Sequence, residues 1–473
     1  MRIQSHHARR PPWIAAVCLG LALIGPGLVG AAGAGEKPKL IVWWNKSYYK
    51  EEDEAMQKVA AEFARENNVE VELTFIDVQD LGPKIIDIIS LSGVVARRVP
   101  DVAFSLWADW QISPNFAWEG KLTDVSDIIN ELKPRYIESH IKTGWLFNKT
   151  ENKWSYYAIP IEAQALGTHY WKDLVQEAGL NPDPAKIPMT WREFWAFWKK
   201  VQDNLRKKAP AKYGKLYGIG MTESSQSTDT FYNFEQYLLA FRGEVLSPNG
   251  KVVAGEAKNR EAIVKTLNFF TSIYKEGYVP PDAFKNWTDA GNNENFLNKN
   301  VVMTPNPSIS IPAQAFFTSR DAYYNKIGSV LQPASPVDGK GYPYLVGVKP
   351  VIIPKAAHEP ALAKKFILYL LETQHFTEYV RASHGRWFPS FKDVAADPFF
   401  NDPKDPHVFF ATTQHLKHET RPFYYSYHPA YSQVYLQNIW AKAISRVLTQ
   451  KWSNEQAADE AINSIQAIFN SWK

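Results

Sequence analysis

The sequence predicts an α/β protein of two or three domains, and three observations carry that prediction. Residues 39–106 alternate strand, helix, strand, helix, strand. A chain of 473 residues is too long for one ordinary domain. The stretch Trp154–Trp171 (WSYYAIPIEAQALGTHYW) reads as a strand that leaves one domain and enters another. There Pro160 removes a ladder donor and biases its predecessor toward extended geometry. Ala163, Ala165 and Gly167 suit a backbone passing through a crowded place. Glu162 and Gln164 then face the space between domains, although periodicity alone equally allows one core strand with two solvated polar residues.

The first residues stand apart from the fold. Arg2, Arg9 and Arg10 precede the apolar Trp13–Val29, and Ala32-Gly33-Ala34 fits a small-x-small cleavage pattern, so residues 1–34 are expected to be a cleaved secretory leader. Pro11-Pro12 after the paired arginines favour general export over the twin-arginine route. The single cysteine, Cys18, follows Val17, where a lipid-anchoring cysteine would usually follow a small residue. Past residue 34 there is then no cysteine, which excludes disulfides, thiolate chemistry and cysteine-ligated metals. Without the three leader arginines the formal charge falls from +4 to +1, which gives no electrostatic reason to expect a nucleic-acid partner. No later apolar run approaches the roughly 20 residues of a membrane span. The expectation is an exported, periplasmic, monomeric protein.

Element by element, Lys39–Trp44 (KLIVWW) is a short apolar strand ending in Asn45-Lys46-Ser47. Glu51–Asn67 carries Met56, Val59, Ala60 and Phe63 on one helical face. Val69, Val71, Leu73 and Phe75 alternate as a strand, Lys84–Val95 is helix-like, and Asp101–Leu106 is a third strand. A parallel sheet of this kind gathers its loops at the C-terminal strand ends, which here carry Trp43, Trp44 and Asn45, then Trp107, Asp109 and Trp110. Thr190 with Glu193 forms a capping-box signature before Trp191–Leu205, whose Phe194, Trp195, Trp198, Val201 and Leu205 make a core stripe. Lys215–Met221 is a strand, Ser247–Gly250 a turn, and Glu261–Glu276 a helix stopped by Gly277. Asn300–Thr304 is a strand flowing into Pro305-Asn306-Pro307, and Tyr344–Ile353 is extended. Helices follow at Glu359–Leu371, opened by Pro360, at Gln433–Leu448, and at Ser453–Trp472 with Ser453 and Gln456 as a capping pair.

In that order these segments resemble the extracytoplasmic carbohydrate-binding proteins of ABC importers, the family typified by maltose-binding protein. KLIVWWNKS resembles the family's first strand and binding loop, and RVPDVAFSLWADW its proline-aspartate strand. AIPIEAQALGTHYWKDLVQEAGL with PMTWREFW resembles its first interdomain crossover and following helix. NENFLNKNVVMTPNPS resembles the family's F-x-x-G-x-x-A-M strand, with Asn298 and Lys299 in the neighbourhood of the usual glycine, and GRWFPSF resembles its late G-x-x-P segment. The resemblance implies a two-lobed periplasmic-binding-protein fold, type II-like. Each lobe would be a mostly parallel sheet flanked by helices, with a hinge of crossing strands near Pro160–Ala165, Tyr342–Gly347 and Leu371–His375. The lobes would be 39–160 plus 346–372, and 165–342 plus 376–473. It also implies a small carbohydrate solute, ABC permease subunits as partners, and no cofactor or enzymatic activity.

A sugar offers hydroxyls, which want planar acceptors and donors, and an apolar ring face, which wants an aromatic platform. With 17 tryptophans, platforms are in excess. Trp44 and Asn45 are candidates at one strand end, although one of Trp43 and Trp44 must point into the core. Trp107 shares a loop with Asp109, which either accepts sugar hydroxyls or is a solvated carboxylate. By the resemblance Gln164 outranks Glu162 as a ligand contact. Ser227 within Ser225–Thr228, Asn306 between its prolines, Trp287, Tyr342, Arg386 and Trp387 complete the expected site. Arg386 would bind a carboxylate or phosphate, or else form an interlobe salt bridge. The rival readings are a secreted glycoside hydrolase, for which Asp109 and Glu162 could be nominated, a non-sugar solute, and a sensor. No G-x-S-x-G, H-E-x-x-H or phosphate-binding loop is present.

Overall fold

The computed structural model describes residues 37–91 and 99–472; the expected leader, Cys18 and the end of the helix expected at Lys84–Val95 lie outside them. β1 (Lys39–Asn45) lies between β2 (Glu70–Ile76) and β3 (Val102–Phe104), parallel to both. The helix Lys50–Asn67 buries the expected face of Met56, Val59, Ala60 and Phe63. The next helix, Val78–Ser90, begins earlier than expected because its apolar stripe, Leu81, Ile85 and Ile89, starts ahead of Pro83. A hairpin of β4 (Trp145–Asn148) and β5 (Lys153–Tyr156) follows.

The chain then crosses. β6 (Ile159–Ala165) belongs to the first sheet and β7 (Gly167–Trp171) to the second, with Leu166 alone between them. The second sheet is completed by β8 (Tyr217–Ile219), β9 (Val301–Asn306) and β10 (Ile327–Val330), in the order β10-β7-β9-β8. Residues 331–343 lead back to β11 (Tyr344–Ile352), joined in the first sheet by β12 (Phe388–Pro389) and β13 (Thr420–Pro422). That sheet runs β12-β6-β11-β3-β1-β2, with β13 beside β11.

Both sheets are mixed rather than mostly parallel. β6 leaves the first sheet, and β11 enters it, at the same end, where Ala165 pairs with Val346, so the two must run antiparallel. The same entry makes β11 antiparallel to β3. In the second sheet β7 is antiparallel to both neighbours and only β8 and β9 are parallel.

Each sheet has its own core, and a small cluster of Ala163, Ala165, Tyr344, Val346 and Val348 sits at the crossing. The crossing expected at Leu371–His375 is instead a junction between the helices Pro360–Leu370 and Thr373–Arg381, and Leu371 and Phe376 share the first core. Apolar residues as late as Val408 and Ala411 stay there; the return comes after β13, where Phe423 and Tyr424 enter the second core. The expected division at 372–376 is corrected accordingly.

Local chemistry explains the remaining differences. Ser453 and Gln456 make both capping bonds, whereas Thr190 donates to the Glu193 carboxylate at 2.7 Å and leaves the backbone donors alone. The helix expected at Gln433–Leu448 is split into Tyr431–Leu436 and Ile439–Thr449 by Asn438, which takes φ +44°. Lys299 adopts φ +56°, the region a glycine would favour, which is how the departed turn is still made.

Candidate functional site

Two contiguous chambers, of about 470 and 510 Å³, open between the sheets and share Val78, Gln79, Leu106, Arg386 and Trp387 as a common wall. The floor is the crossing itself. β6 alternates its side chains, so Glu162 and Gln164 emerge on one face, Glu162 into the inner chamber and Gln164 into the outer. β12 pairs with β6 at Phe388–Ala163 and Pro389–Glu162, which sets the preceding Arg386 and Trp387 beside those two polar side chains. The turn into β12 needs Gly385 at φ +79°, where a Cβ would overlap Val408.

From the first sheet come the loop after β1, with Asn45, and the loop after β3, with Trp107 and Trp110. From the second come residues 225–229 at the start of the helix Thr228–Ala240, Asp289 and Asn293, the segment Asn306–Ser308 after β9, and Tyr435–Asn438. Of the expected residues, Trp107, Gln164, Ser227, Asn306, Arg386 and Trp387 line the outer chamber, and Asn45, Arg386 and Trp387 the inner.

Four expected residues do not line either chamber. Trp44 points into the first core, stacked on Phe104 at 4.6 Å with its indole donating to the Tyr379 hydroxyl at 3.2 Å. Trp43 goes to the opposite face under the Lys84 ammonium, so this tryptophan pair yields no platform. Trp287 and Tyr342 are part of the second core. Asp109 is not solvated and lines neither chamber. Lys349, from β11, donates to both of its oxygens at 3.0 and 2.8 Å and to the Leu106 carbonyl at 3.2 Å, and the Tyr425 hydroxyl donates at 3.2 Å. This buried pair fixes the β3 loop to the crossing strand.

Two lining residues are occupied internally. The Ser227 hydroxyl accepts from the Asp229 amide at 3.2 Å and donates to Asp289 at 2.9 Å. Asp289 also takes the Thr228 amide at 2.6 Å and its hydroxyl at 3.0 Å, so a carboxylate of the chain already fills this helix N-terminus. The Asn306 amide donates to the Ser308 carbonyl at 2.7 Å and Ser310 at 3.1 Å, and its oxygen accepts from Asn292 at 3.1 Å. It braces the turn that lines the cleft.

What remains open is a different set from the one expected. The Gln164 amide has no partner among the described residues, and the oxygens of Asn45, Asn293 and Asn438, with Glu52 Oε1, are buried and unpaired. Burial pushes the Glu52 carboxyl up to about 7. Burial, and then the neighbouring Glu52, push Glu162 well above the carboxylate range, and Asp229 is raised by burial and by Asp289. Arg386 lies over the rings of Tyr48 and Trp387, at 5.0 and 5.2 Å. Sequence signals for Asn293, Asn438 and Glu52 were absent, because each sits on a helix or helix break whose orientation only packing sets. Trp107 and Trp387 supply aromatic surface, with Trp110 tilted on Tyr435 at 4.7 Å behind them.

A two-sheet fold of this topology with a cleft across its crossing strands is that of a solute-binding protein. The family of bacterial extracellular solute-binding proteins matches residues 58–410, and the chain belongs to it. Escherichia coli YcjN, named as a candidate ABC transporter periplasmic-binding protein, is 20% identical over 80% of both chains. A Brucella abortus protein described as a binding protein is 25% identical over 168 residues, and the chain spans only 35% of that relative's length. Among solved structures, an ABC transporter solute-binding protein of Thermotoga lettingae bound with α-D-tagatose has a TM-score of 0.70 at 22% identity, covering 91% of this chain and 99% of that one. The GacH receptor of Streptomyces glaucescens, solved unliganded and with acarbose, has a TM-score of 0.71 at 16% identity, covering 93% and 100%. These structural likenesses concern the fold. Among the described residues no helix is long and apolar enough to cross a membrane.

Proposed function

We propose that the protein is the solute-binding component of an ABC importer and takes a carbohydrate, a sugar, oligosaccharide or polyol, between two lobes that close on it. The observation that carries this reading is the composition of the cleft. Aromatic surface from Trp107 and Trp387 faces unpaired polar side chains drawn from both sheets, Gln164 and Asn45 from the first, Asn293 and Asn438 from the second. A hydroxylated ring needs that combination, and a ligand held by both sides favours the closed form. The names of the structural neighbours, with tagatose and acarbose among their ligands, support the solute class. The lobes are taken as 39–165 with 344–422, and 167–330 with 423–472, following the two cores. With the leader-like residues 1–34 removed, the protein would act as a monomer in the periplasm, deliver its solute to permease subunits, and leave it chemically unchanged.

A thermal-shift screen of mono- and oligosaccharides, polyols, sugar phosphates and betaines tests this. A solute in hundredfold excess over its Kd adds about 2.7 kcal/mol to stability. One carbohydrate class should give a saturable rise in Tm and be recovered intact by chromatography. Consumption of the sugar would replace this reading with a hydrolase; a response confined to betaines would replace the solute class.

A further inference from the structure

The inner chamber does not ask for the same chemistry as the outer one. Its buried polar groups are almost all acceptors. Asn45 spends its amide on the Lys46 carbonyl at 2.7 Å and turns an unpaired oxygen inward. Glu52, 3% exposed, keeps Oε1 unpaired, and Glu162, 1% exposed, has no hydrogen bond among the described residues. The cation opposite Glu162 in the β-sheet register is Lys349, whose ammonium is already given to Asp109. That leaves the half-buried Arg386 as the remaining counter-charge for the two acids, with Tyr379 offering one hydroxyl proton. At the exposed edge of the chamber Asp77 and Asp80 outnumber Lys46.

A hydroxyl brings one donor and two acceptor lone pairs, whereas an ammonium brings three donors, no acceptor and the missing positive charge. Burial disfavours ionisation of both acids beside a single guanidinium, and an ammonium seated between them supplies the charge against which they ionise and accept. We infer that the solute carries a protonated amine, seated in the inner chamber against Glu52, Glu162 and Asn45, while its hydroxylated ring occupies the outer chamber: an amino sugar or aminopolyol. This deepens the carbohydrate reading and rests on it. It also reverses the role expected of Arg386, which balances the acids of its own chain and leaves the chamber unfit for an anionic solute.

The test is calorimetry of the purified protein against matched trios: glucose, galactose, mannose and cellobiose, the 2-amino form of each, and the N-acetylated form. The amino member of one trio should bind about a hundredfold tighter than its parent, the advantage should vanish on acetylation, and Glu162→Gln should abolish it. The unliganded Tm of Glu162→Gln should hold or rise, since a buried acid is removed, so loss of binding cannot be assigned to unfolding. If a parent sugar binds as well as its amine, the amine is wrong and the carbohydrate reading stands. If the amine is preferred but Glu162→Gln and Glu52→Gln bind it unchanged, its assignment to this chamber is overturned. If the thermal-shift screen instead finds a carbohydrate without an amine, this inference falls alone; if no carbohydrate responds in either experiment, the carbohydrate reading falls with it.

Discussion

Lys349 and Asp109 show how one buried pair decides what a cleft can bind. Both side chains are nearly inaccessible, at 5% and 1% exposure, and removing one strands the other's charge. Lys349→Met should cost about 3–5 kcal/mol in chemical denaturation, and adding Asp109→Leu should recover most of that loss. If the pair instead contributed only surface-like electrostatics, the single variant would sit within about 1 kcal/mol of the parent. Glu52 makes a second prediction. Its folded carboxyl titrates near 7 against an ordinary value of 4.5. Between those pH values the folded state holds a proton that the unfolded state has lost, so stability falls as pH rises through that window, by up to about 3 kcal/mol. Glu52→Gln should match the parent at pH 4 and exceed it at pH 8; equal profiles at both would refute the burial of this acid. Buried histidines act in the opposite direction. His169 is held down to about 4 and His407 to about 3, so protons taken by the unfolded imidazoles remove stability as pH drops below about 6.5.

At the level of elements, the helix Val78–Ser90 supports the aromatic wall of the cleft. Gly82 lies flat against Trp107, and a Cβ there would overlap the indole. Gly82→Ala should therefore push Trp107 out of position and weaken solute binding about tenfold or more, although Gly82 itself lines neither chamber. Binding unchanged in this variant would mean that Trp107 is not a ligand platform. Strands and helices were largely legible in the sequence, since the alternation at Val69–Phe75 and the helical stripe from Phe194 to Leu205 encode their faces directly. Two elements were not. The break at Asn438 depends on one residue taking a left-handed conformation, which periodicity across Gln433–Leu448 does not reveal. The helix Thr373–Arg381 carries a good apolar face, but whether that face joins the first or second core is a matter of long-range packing.

For the molecule as a whole, the crossing strands are the expected hinge. Leu166 is the single residue between β6 and β7, and the cluster at the crossing includes the small side chains of Ala163, Ala165 and Val346, past which the strands can bend. Closure should reduce the radius of gyration in small-angle scattering on adding the solute that raises Tm, and quench or shift tryptophan emission as the half-buried Trp107 is covered. A solute that binds without any change in scattering would mean a preformed, static cleft. The candidate site was half legible at this scale. Gln164 and Trp107 sit where a crossing and a strand end were expected, and Arg386 and Trp387 were candidates without such a place, but which member of a tryptophan pair faces outward, and whether an aspartate is free or paired, are decided by partners more than 200 residues away.

The sequence alone determined the alternation of strands and helices and, through the order of its segments, the family to which the chain belongs; that Trp154–Trp171 passes between two sheets was one of two readings open until the structure showed the crossing. The alternation and the family are written in local periodicity and in short segments whose order survives divergence. Only the tertiary structure decided that most of the aromatic residues near the second sheet are core, with Phe234 stacked on Trp440 at 4.5 Å, and that Asp109 is consumed by Lys349. It also decided that Asn45, Glu52 and Glu162 keep their acceptors open. The reason is physical: burial and pairing depend on which side chain another element brings alongside, and no window of the sequence contains both partners.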